Sequence, residues 1–343
     1  MSSSGDIVHG FDTGRLAAYL EREIDGFQGP LAATKFADGQ SNPTFLIATP
    51  RTKYVLRRKP PGELLASAHA VDREYRVLKA LEGTDVPVAK AYHLCTDDSV
   101  IGSWFYVMEY MQGRVFWDPR LPELSRSDRG RVYDEMNRVL AAIHGVDVEA
   151  AGLADFGKPG NYFARQISRW TKQYRASETT HIDDMERLIE WLPVHVPPDD
   201  GRVSFIHGDY RLDNMMFAAD RIRVIAVFDW ELSTLGHPIA DLAYQCMQWR
   251  FRHDWTVRGL AGSDFRTLGI PTEDEYRAAY CARTGLDFGA DWPFYMAFSL
   301  FRLAAICQGV KKRALDGNAS SDRAMGVGAM AAPLAEIGWS VVG

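Results

Sequence analysis

The segment His207-Gly208-Asp209-Tyr210-Arg211-Leu212-Asp213-Asn214 gathers the side chains best suited to chemistry. It follows the apolar run Val203–Ile206 and precedes Met215-Met216-Phe217. The spacing H-x-D-x-x-x-x-N suits phosphoryl transfer, in which a protein mainly positions groups and stabilises charge. Asp209, at the loop apex, can orient an attacking hydroxyl and accept its proton. Asn214, five residues on, offers a neutral oxygen to Mg2+, which takes hard oxygen ligands and shares phosphate oxygens and water. A second apolar run, Ile222–Phe228, leads into Asp229-Trp230-Glu231, so Asp229 falls twenty residues after Asp209. That interval has room for one β-hairpin, expected to return Asp229 beside Asn214 as a second Mg2+ ligand. H-x-D alone is a weak signal, and an aspartate after a strand is usually a turn or helix cap. The ordered combination is far more specific.

A wider set of residues carries a family resemblance. Phe205-Ile206-His207-Gly208-Asp209, Asn214, Val227-Phe228-Asp229-Trp230-Glu231 and Gly236-His237-Pro238-Ile239-Ala240-Asp241-Leu242-Ala243 resemble the aminoglycoside/choline phosphotransferases, protein-kinase-like enzymes acting on small molecules. One branch is especially similar: the kinase-like domain fused ahead of some acyl-CoA dehydrogenases, with its free-standing bacterial relatives. Tyr54-Val55-Leu56-Arg57-Arg58-Lys59-Pro60-Pro61-Gly62, Ala68 to Arg76, Phe105-Tyr106-Val107-Met108-Glu109 and Trp230 to Thr234 carry that similarity, which covers about residues 30–245. The resemblance implies an α+β fold: two-lobed and protein-kinase-like, with a small β-rich N-lobe and a larger helical C-lobe. It implies ATP and Mg2+ as cofactors and a small-molecule hydroxyl as phosphate acceptor. It implies that Asp241 buttresses the catalytic loop, and His207 is expected to do likewise. It also implies a hydroxyacyl-CoA acceptor whose hydroxyl becomes a leaving group, an inference by analogy. No dehydrogenase domain is expected in a chain of this length.

Nucleotide phosphates need a cation, usually a strand lysine paired with a helix carboxylate. On the strand Lys53–Lys59, Val55, Arg57 and Lys59 share one face, and Tyr54, Leu56 and Arg58 the other. Arg57 stands at the lysine-like position, with Arg58 as a one-residue alternative. Arginine supplies the charge in a two-pronged geometry. A helix over about Leu65 to Glu82 has the apolar stripe Val71, Tyr75, Leu78 and Leu81, bordered by Glu74, the natural partner of Arg57. Gly39-Gln40-Ser41-Asn42-Pro43-Thr44 stands where a phosphate loop is expected but lacks G-x-G-x-x-G. Ser41 and Asn42 could cap phosphates there; a plain hairpin turn explains the segment as well. Glu109-Tyr110-Met111 resembles a hinge whose main chain meets adenine, so Glu109 and Met111 join the expected nucleotide contacts.

The acceptor is less legible. Arg165, Arg169 and Lys172 lie at i, i+4 and i+7 on one helix and could hold an anion such as coenzyme A phosphates, although such a face is ordinarily just solvated. A polycationic aminoglycoside would instead need an acidic pocket, to which Glu231, Asp183, Asp184 and Glu186 could contribute. Aminoglycoside phosphorylation is therefore one alternative. A nucleotide-binding protein without transfer activity is another, favoured by Arg57 and the missing glycine motif but opposed by the intact Asp209, Asn214 and Asp229.

These residues need a scaffold. Strands are expected over Leu31–Ala37, Thr44–Thr49, Lys53–Arg58 and Trp104–Tyr110, after a helix over Arg15–Ile24. Beyond Gly113, helices are expected over Ser127–Ile143, capped by Ser127 or Asp128, and over Asn161–Arg175, Asp183–Trp191, Ile239–Phe251, Glu273–Arg283, Trp292–Leu315 and from Ser321. The division is 1–111, a nucleotide-binding lobe with hinge, and 112–343, a helical catalytic and substrate lobe. The 343 residues suffice for a large core, and 39 basic against 45 acidic residues leave a net charge of −6, poor for nucleic-acid binding. Cys95, Cys246, Cys281 and Cys307 are scattered, which suits a reducing, cytoplasmic setting rather than a disulfide framework or zinc site. Trp292 to Val310 is apolar enough to raise a membrane helix, but Arg302 at its middle favours a buried core helix, and no membrane partner is expected.

Overall fold

The computed structural model describes residues 7, 8, 10–36, 42–60, 70–287, 289–317 and 324–343. The chain forms two compact units, Met1–Gly113 with Ile225–Glu231, and Arg114–Val224 with Leu232–Gly343. The stretch Ile225–Glu231, assigned from sequence to the second lobe, thus belongs to the first unit.

In the first unit, β1 (Ile7–Val8) and β2 (Phe11–Asp12) precede helix α1 (Thr13–Glu23), whose cap is Asp12 accepting from the Arg15 amide. An antiparallel sheet follows, ordered β3-β4-β5-β7-β6: β3 (Ala32–Lys35), β4 (Thr44–Ala48), β5 (Lys53–Arg58), β7 (Phe105–Glu109) and β6 (Ala91–Cys95). The sequence reading missed β6 and the one-turn helix α3 (Asp98–Ile101), both too short for periodicity to register. One sheet face is apolar: Phe45, Tyr54, Leu56, Phe105 and Val107 pack with Leu16 and Leu20 of α1. Strand alternation then turns Arg57 to the opposite face, where α2 (Val71–Leu81) lies against β6 and β7.

Helix α2 differs from its sequence reading in one instructive way. Its buried residues are Val71, Glu74, Val77, Leu78 and Leu81, whereas Tyr75 is only half-buried. Glu74 therefore lies within the stripe rather than on its border. The expected start of this helix near Leu65 lies outside the described residues.

The second unit is mainly helical, comprising α4 (Arg126–His144), α5 (Tyr162–Ser177), α6 (Asp183–Val194), α7 (Ile239–Cys246), α8 (Phe265–Leu268), α9 (Glu273–Thr284), α10 (Trp292–Leu315), α11 (Ala324–Gly328) and α12 (Ala331–Ser340). Ser125, not Ser127 or Asp128, caps α4 by accepting from the Asp128 amide. Helix α7 ends at Cys246 and passes into a 3-10 turn, Met247–Trp249, short of the expected Phe251. The long apolar helix α10 packs against α5, α6, α7, α11 and α12, with most of its side chains buried. A small antiparallel pair, β8 (Ser204–Ile206) and β11 (Thr234–Gly236), precedes the His207–Asn214 loop on one strand and α7 on the other. After the loop, β9 (Met215–Phe217) enters a hairpin closed by the Ala218 amide on the Arg223 carbonyl at 2.8 Å, and β10 (Val224–Val227) continues the chain.

Leu56 is fully buried on β5 next to Arg57. Leu56→Ala should destabilise the protein by about 2–5 kcal/mol, the usual range for such a core truncation, read as a lowered urea midpoint in equilibrium unfolding.

Candidate active site

In the first unit, sheet register sets the charge arrangement. Arg57 of β5 pairs directly with Tyr106 of β7, so both side chains project from the same face. Both meet Glu74 of α2: Arg57 Nε lies 2.9 Å from Glu74 Oε2, and the Tyr106 hydroxyl donates to the same oxygen at 3.2 Å. Asn42 Nδ2 donates to Glu74 Oε1 at 2.8 Å. Burial pushes the Glu74 carboxyl upward in pKa, against the Arg57 charge and the Asn42 and Tyr106 hydrogen bonds. Burial alone would lower the Arg57 pKa, but Glu74, then Tyr106, Asp229 and Glu231, outweigh it and drive it up. Arg57 is therefore a permanent cation.

Arg57 also reaches Asp229, Nη2 to Oδ1 at 3.3 Å, within the same unit. Asp229 has φ 62°, left-handed for a non-glycine residue. Aspartate tolerates that conformation better than most residues, and such outliers concentrate at functional sites. The Val227 amide bonds the Pro87 carbonyl at 2.9 Å, and Trp230 Nε1 bonds the Val227 carbonyl at 3.0 Å, which brace the turn carrying Asp229. Glu231 is exposed and acts on Arg57 through its charge.

The alternative phosphate cation, Arg58, is excluded by strand alternation. It is 6% exposed on the opposite face, above the rings of Phe11 and Phe45, and donates to the Ile101 carbonyl at 3.3 Å. Asn42 also departs from expectation: it is 1% exposed and its amide donates to Glu74. Ser41 lies outside the described residues. Glu109 ends β7 with an exposed side chain and its amide on the Lys90 carbonyl at 2.8 Å, and Met111 follows half-buried.

In the second unit, the loop after β8 is held through its backbone. The His207 amide donates to Asp241 Oδ2 at 2.6 Å, and the Gly208 amide to Oδ1 at 2.8 Å. Asp241 is fully buried at the start of α7, and its other neighbour is His144 of α4 at 3.3 Å. His144 Nδ1 in turn meets the Tyr280 hydroxyl at 2.6 Å. Burial by itself would raise the Asp241 pKa, but the His144 hydrogen bond and charge, the His207 charge and the Gly208 amide bring it below the ordinary carboxylate value. Both expected supports, Asp241 and His207, lie in this network, since the Asp209 amide donates to His207 Nδ1 at 3.2 Å.

Gly208 has φ +83°, and a Cβ there would lie 2.5 Å from the Leu232 carbonyl oxygen, so only glycine fits. Asn214 Nδ2 donates to the Asp209 carbonyl at 2.9 Å and to its Oδ2 at 3.2 Å. That use of the nitrogen leaves the Asn214 side-chain oxygen as the donor atom for a cation. Burial, and then the charge of the neighbouring Asp209, raise the Tyr244 pKa. Tyr210 anchors the loop by donating to the Met136 carbonyl at 2.7 Å, and Arg211 forms a two-point pair with Asp213, Nε to Oδ1 at 2.9 Å.

The charged candidates for the acceptor are arranged differently from one another. On α5, the buried side chains are Tyr162, Phe163, Ile167, Trp170 and Tyr174. Arg169 and Lys172 are exposed, and Arg165 donates to the Lys158 carbonyl at 2.5 Å and the Pro159 carbonyl at 3.3 Å. The acidic group on α6 is already engaged: Asp183 with His181, Asp184 with Arg187 and Glu186 with Arg175. Sequence reasoning missed Tyr106, His144, Tyr244, Tyr280 and Arg302. Arg302, a charge inside an apolar helix, was the one among them with a visible signal.

Comparison with known proteins identifies the family. The model of the APH phosphotransferase enzyme family matches residues 32–298. A mouse protein, acyl-CoA dehydrogenase family member 10, is 49% identical over 326 residues, covering 93% of this chain and 30% of the relative. Human acyl-CoA dehydrogenase family member 11 is 42% identical over 336 residues, 96% of this chain and 43% of that protein. The chain thus spans less than half the length of these relatives. A Ralstonia eutropha crystal structure, provisionally assigned as an aminoglycoside phosphotransferase, has 54% identity and a TM-score of 0.89, covering 96% of this chain and 98% of that one. A ternary complex of the aminoglycoside phosphotransferase APH(4)-Ia with ADP and hygromycin B has a TM-score of 0.62 at 13% identity, covering 95% and 98% of the two chains, a likeness of fold alone. The chain is a member of the APH phosphotransferase enzyme family, with its protein-kinase-like α+β fold.

Proposed function

We propose that this chain transfers the γ-phosphate of Mg2+-bound ATP to a hydroxyl of a small molecule, and that the acceptor is a hydroxyacyl-CoA. The observation that carries the phosphotransfer reading is the Asp209 loop, whose backbone is held by Asp241 and whose carboxylate takes a hydrogen bond from Asn214. Fixed positioning of this kind is what phosphoryl transfer asks of a protein. The acceptor oxygen attacks the γ-phosphorus, and the bond from that phosphorus to the β,γ-bridging oxygen breaks. The hydroxyl proton passes to Asp209, and ADP departs with the electron pair.

Arg57 binds the phosphates. Glu74 and Asp229 orient its guanidinium, and its remaining N–H groups are donors for phosphate oxygens. Asn214 and Asp229 are the residues that would hold Mg2+, and both present oxygen, the donor this ion takes. When bound, the ion neutralises charge on the transferred phosphate. Glu109 and Met111 would meet the adenine through their main chain, and Ser41 would contribute near the phosphates. Asn42 acts behind them through Glu74.

The acceptor reading rests on the relatives named as acyl-CoA dehydrogenase family members. Arg165, Arg169 and Lys172 are the proposed contacts for the coenzyme A phosphates, and Glu231 would lie on the acceptor side of the transferred group. The proposed setting is cytoplasmic, with no nucleic-acid or membrane partner. The name given to the Ralstonia eutropha structure favours an aminoglycoside as a second reading, with Glu231 then contributing to cation binding. A panel of hydroxyacyl-CoAs, free hydroxy acids, aminoglycosides and choline separates the two by which compound receives phosphate. Transfer to aminoglycosides alone would discard the acyl-CoA reading.

Asp209→Asn should lower kcat by about 10²–10⁴-fold while ATP binding, measured by calorimetry, stays close to wild type. Full activity in that variant would sink the assignment. Arg57→Ala should weaken ATP binding and also destabilise the protein by about 3–5 kcal/mol, because Glu74 is left buried without its cation; thermal unfolding reads the second effect. Chelation by EDTA should abolish transfer, with Mg2+ restoring it.

A further inference from the structure

A cation in the middle of an apolar helix demands a reason. Arg302 of α10 is 4% exposed, and an ion taken out of water costs several kcal/mol unless it is matched. Among the described residues, no carboxylate pairs with it. Its guanidinium lies over the rings of Tyr244 and Trp170, 5.1 and 5.5 Å from their centroids, which returns part of the lost solvation. Among the described residues, its hydrogen bond runs from Nη2 to the Gly208 carbonyl at 2.5 Å, and its buried Nε has no hydrogen-bond partner. For stability alone, an apolar residue of similar volume would serve as well or better.

The bond falls at a sensitive place. The Gly208 carbonyl and the Asp209 amide belong to one peptide unit, and that amide is held by His207 Nδ1 at 3.2 Å. The preceding unit is held by Asp241 through the Gly208 amide at 2.8 Å. Glycine has little torsional preference of its own, so the plane between Gly208 and Asp209 can rotate unless both its ends are tied. Arg302 ties the carbonyl end. It also packs on Tyr244, a side chain that feels the Asp209 charge.

We infer that Arg302 is a positioning residue for phosphoryl transfer: it clamps the peptide immediately before Asp209 and thereby fixes the direction of the Asp209 carboxylate. The inference rests on the phosphotransfer reading above. It assigns a role to a residue outside both the catalytic loop and the phosphate-binding group, and the buried charge is the means by which a remote helix reaches that loop.

The test compares wild type, Arg302→Met, Arg302→Lys and Asp209→Asn by steady-state kinetics on the acceptor that wild type phosphorylates, and by amide hydrogen exchange of the full chain without ligands. Arg302→Met should lower kcat by about 10²-fold, the usual cost of a small misplacement, with the KM for ATP unchanged. It should also speed exchange in peptides covering residues 205–214 while α10 keeps its protection. Arg302→Lys, which can still donate to the Gly208 carbonyl, should recover a large part of both. A kcat and an exchange rate that match wild type in Arg302→Met would overturn the inference while leaving the phosphotransfer reading intact. Lost protection throughout α10 would also overturn it, since the residue would then be serving the helix. If wild type transfers no phosphate, the phosphotransfer reading fails, and unchanged exchange at 205–214 in Arg302→Met would remove the clamp as well. Should Arg302→Met not fold, Arg302→Lys decides: a kcat as low as that of Asp209→Asn, with exchange at 205–214 faster than in wild type, would count against the clamp.

Discussion

A carboxylate removed from water must be matched by donors or an opposite charge, and each unit of this protein is arranged around one such group. In the first it is Glu74, 2% exposed, which collects Arg57, Asn42 and Tyr106. In the second it is Asp241, fully buried, which collects two loop amides and His144. Desolvation makes an unmatched carboxylate so costly that the surrounding strands and loops are held to the few geometries that match it. The same requirement turns two stability problems into two positioning devices. Arg57 is presented by Glu74, and the segment leading to Asp209 is presented by Asp241.

The two devices differ in how they use backbone and side chain. Around Glu74 the match is made by side chains from two strands and from Asn42 ahead of β4, and sheet register does the work: Arg57 and Tyr106 are cross-strand partners, so one carboxylate can reach both. Around Asp241 the match is made by consecutive backbone amides, which orient a chain segment rather than a group. The first arrangement suits a guanidinium that must stay charged. The second fixes the backbone that carries Asp209, and Arg302 meets the carbonyl side of the same loop.

Membership of the phosphotransferase family joins these features to a chemistry in which little covalent work falls to the protein. Two departures from the commonest kinase pattern then become intelligible. An arginine in place of lysine can contact Glu74 and Asp229 at once through its fork and still keep donors free. Asn42, at the end of the segment that lacks G-x-G-x-x-G, donates to Glu74 and so serves the ion pair.

Much of this was legible in the sequence because it rests on local spacing. H-x-D-x-x-x-x-N, the strand over Lys53–Arg58 and the helix over Trp292–Leu315 are set by neighbours along the chain, and the last two match the structure end to end. Alternation along β5 already placed Arg57 and Arg58 on opposite faces, but which face met a carboxylate depended on where α2 packed. Glu74 reads as a border residue in a helical projection and becomes central only when the sheet above it supplies Arg57 and Tyr106. The return of Ile225–Glu231 to the first unit, the reach of His144 to Asp241 and the grip of Arg302 on Gly208 join residues 94 or more positions apart in the last two cases. No periodicity encodes such pairings. They are decided by which buried charge finds which donor once the elements have packed, because an unmatched ion in the interior is the state the fold cannot sustain.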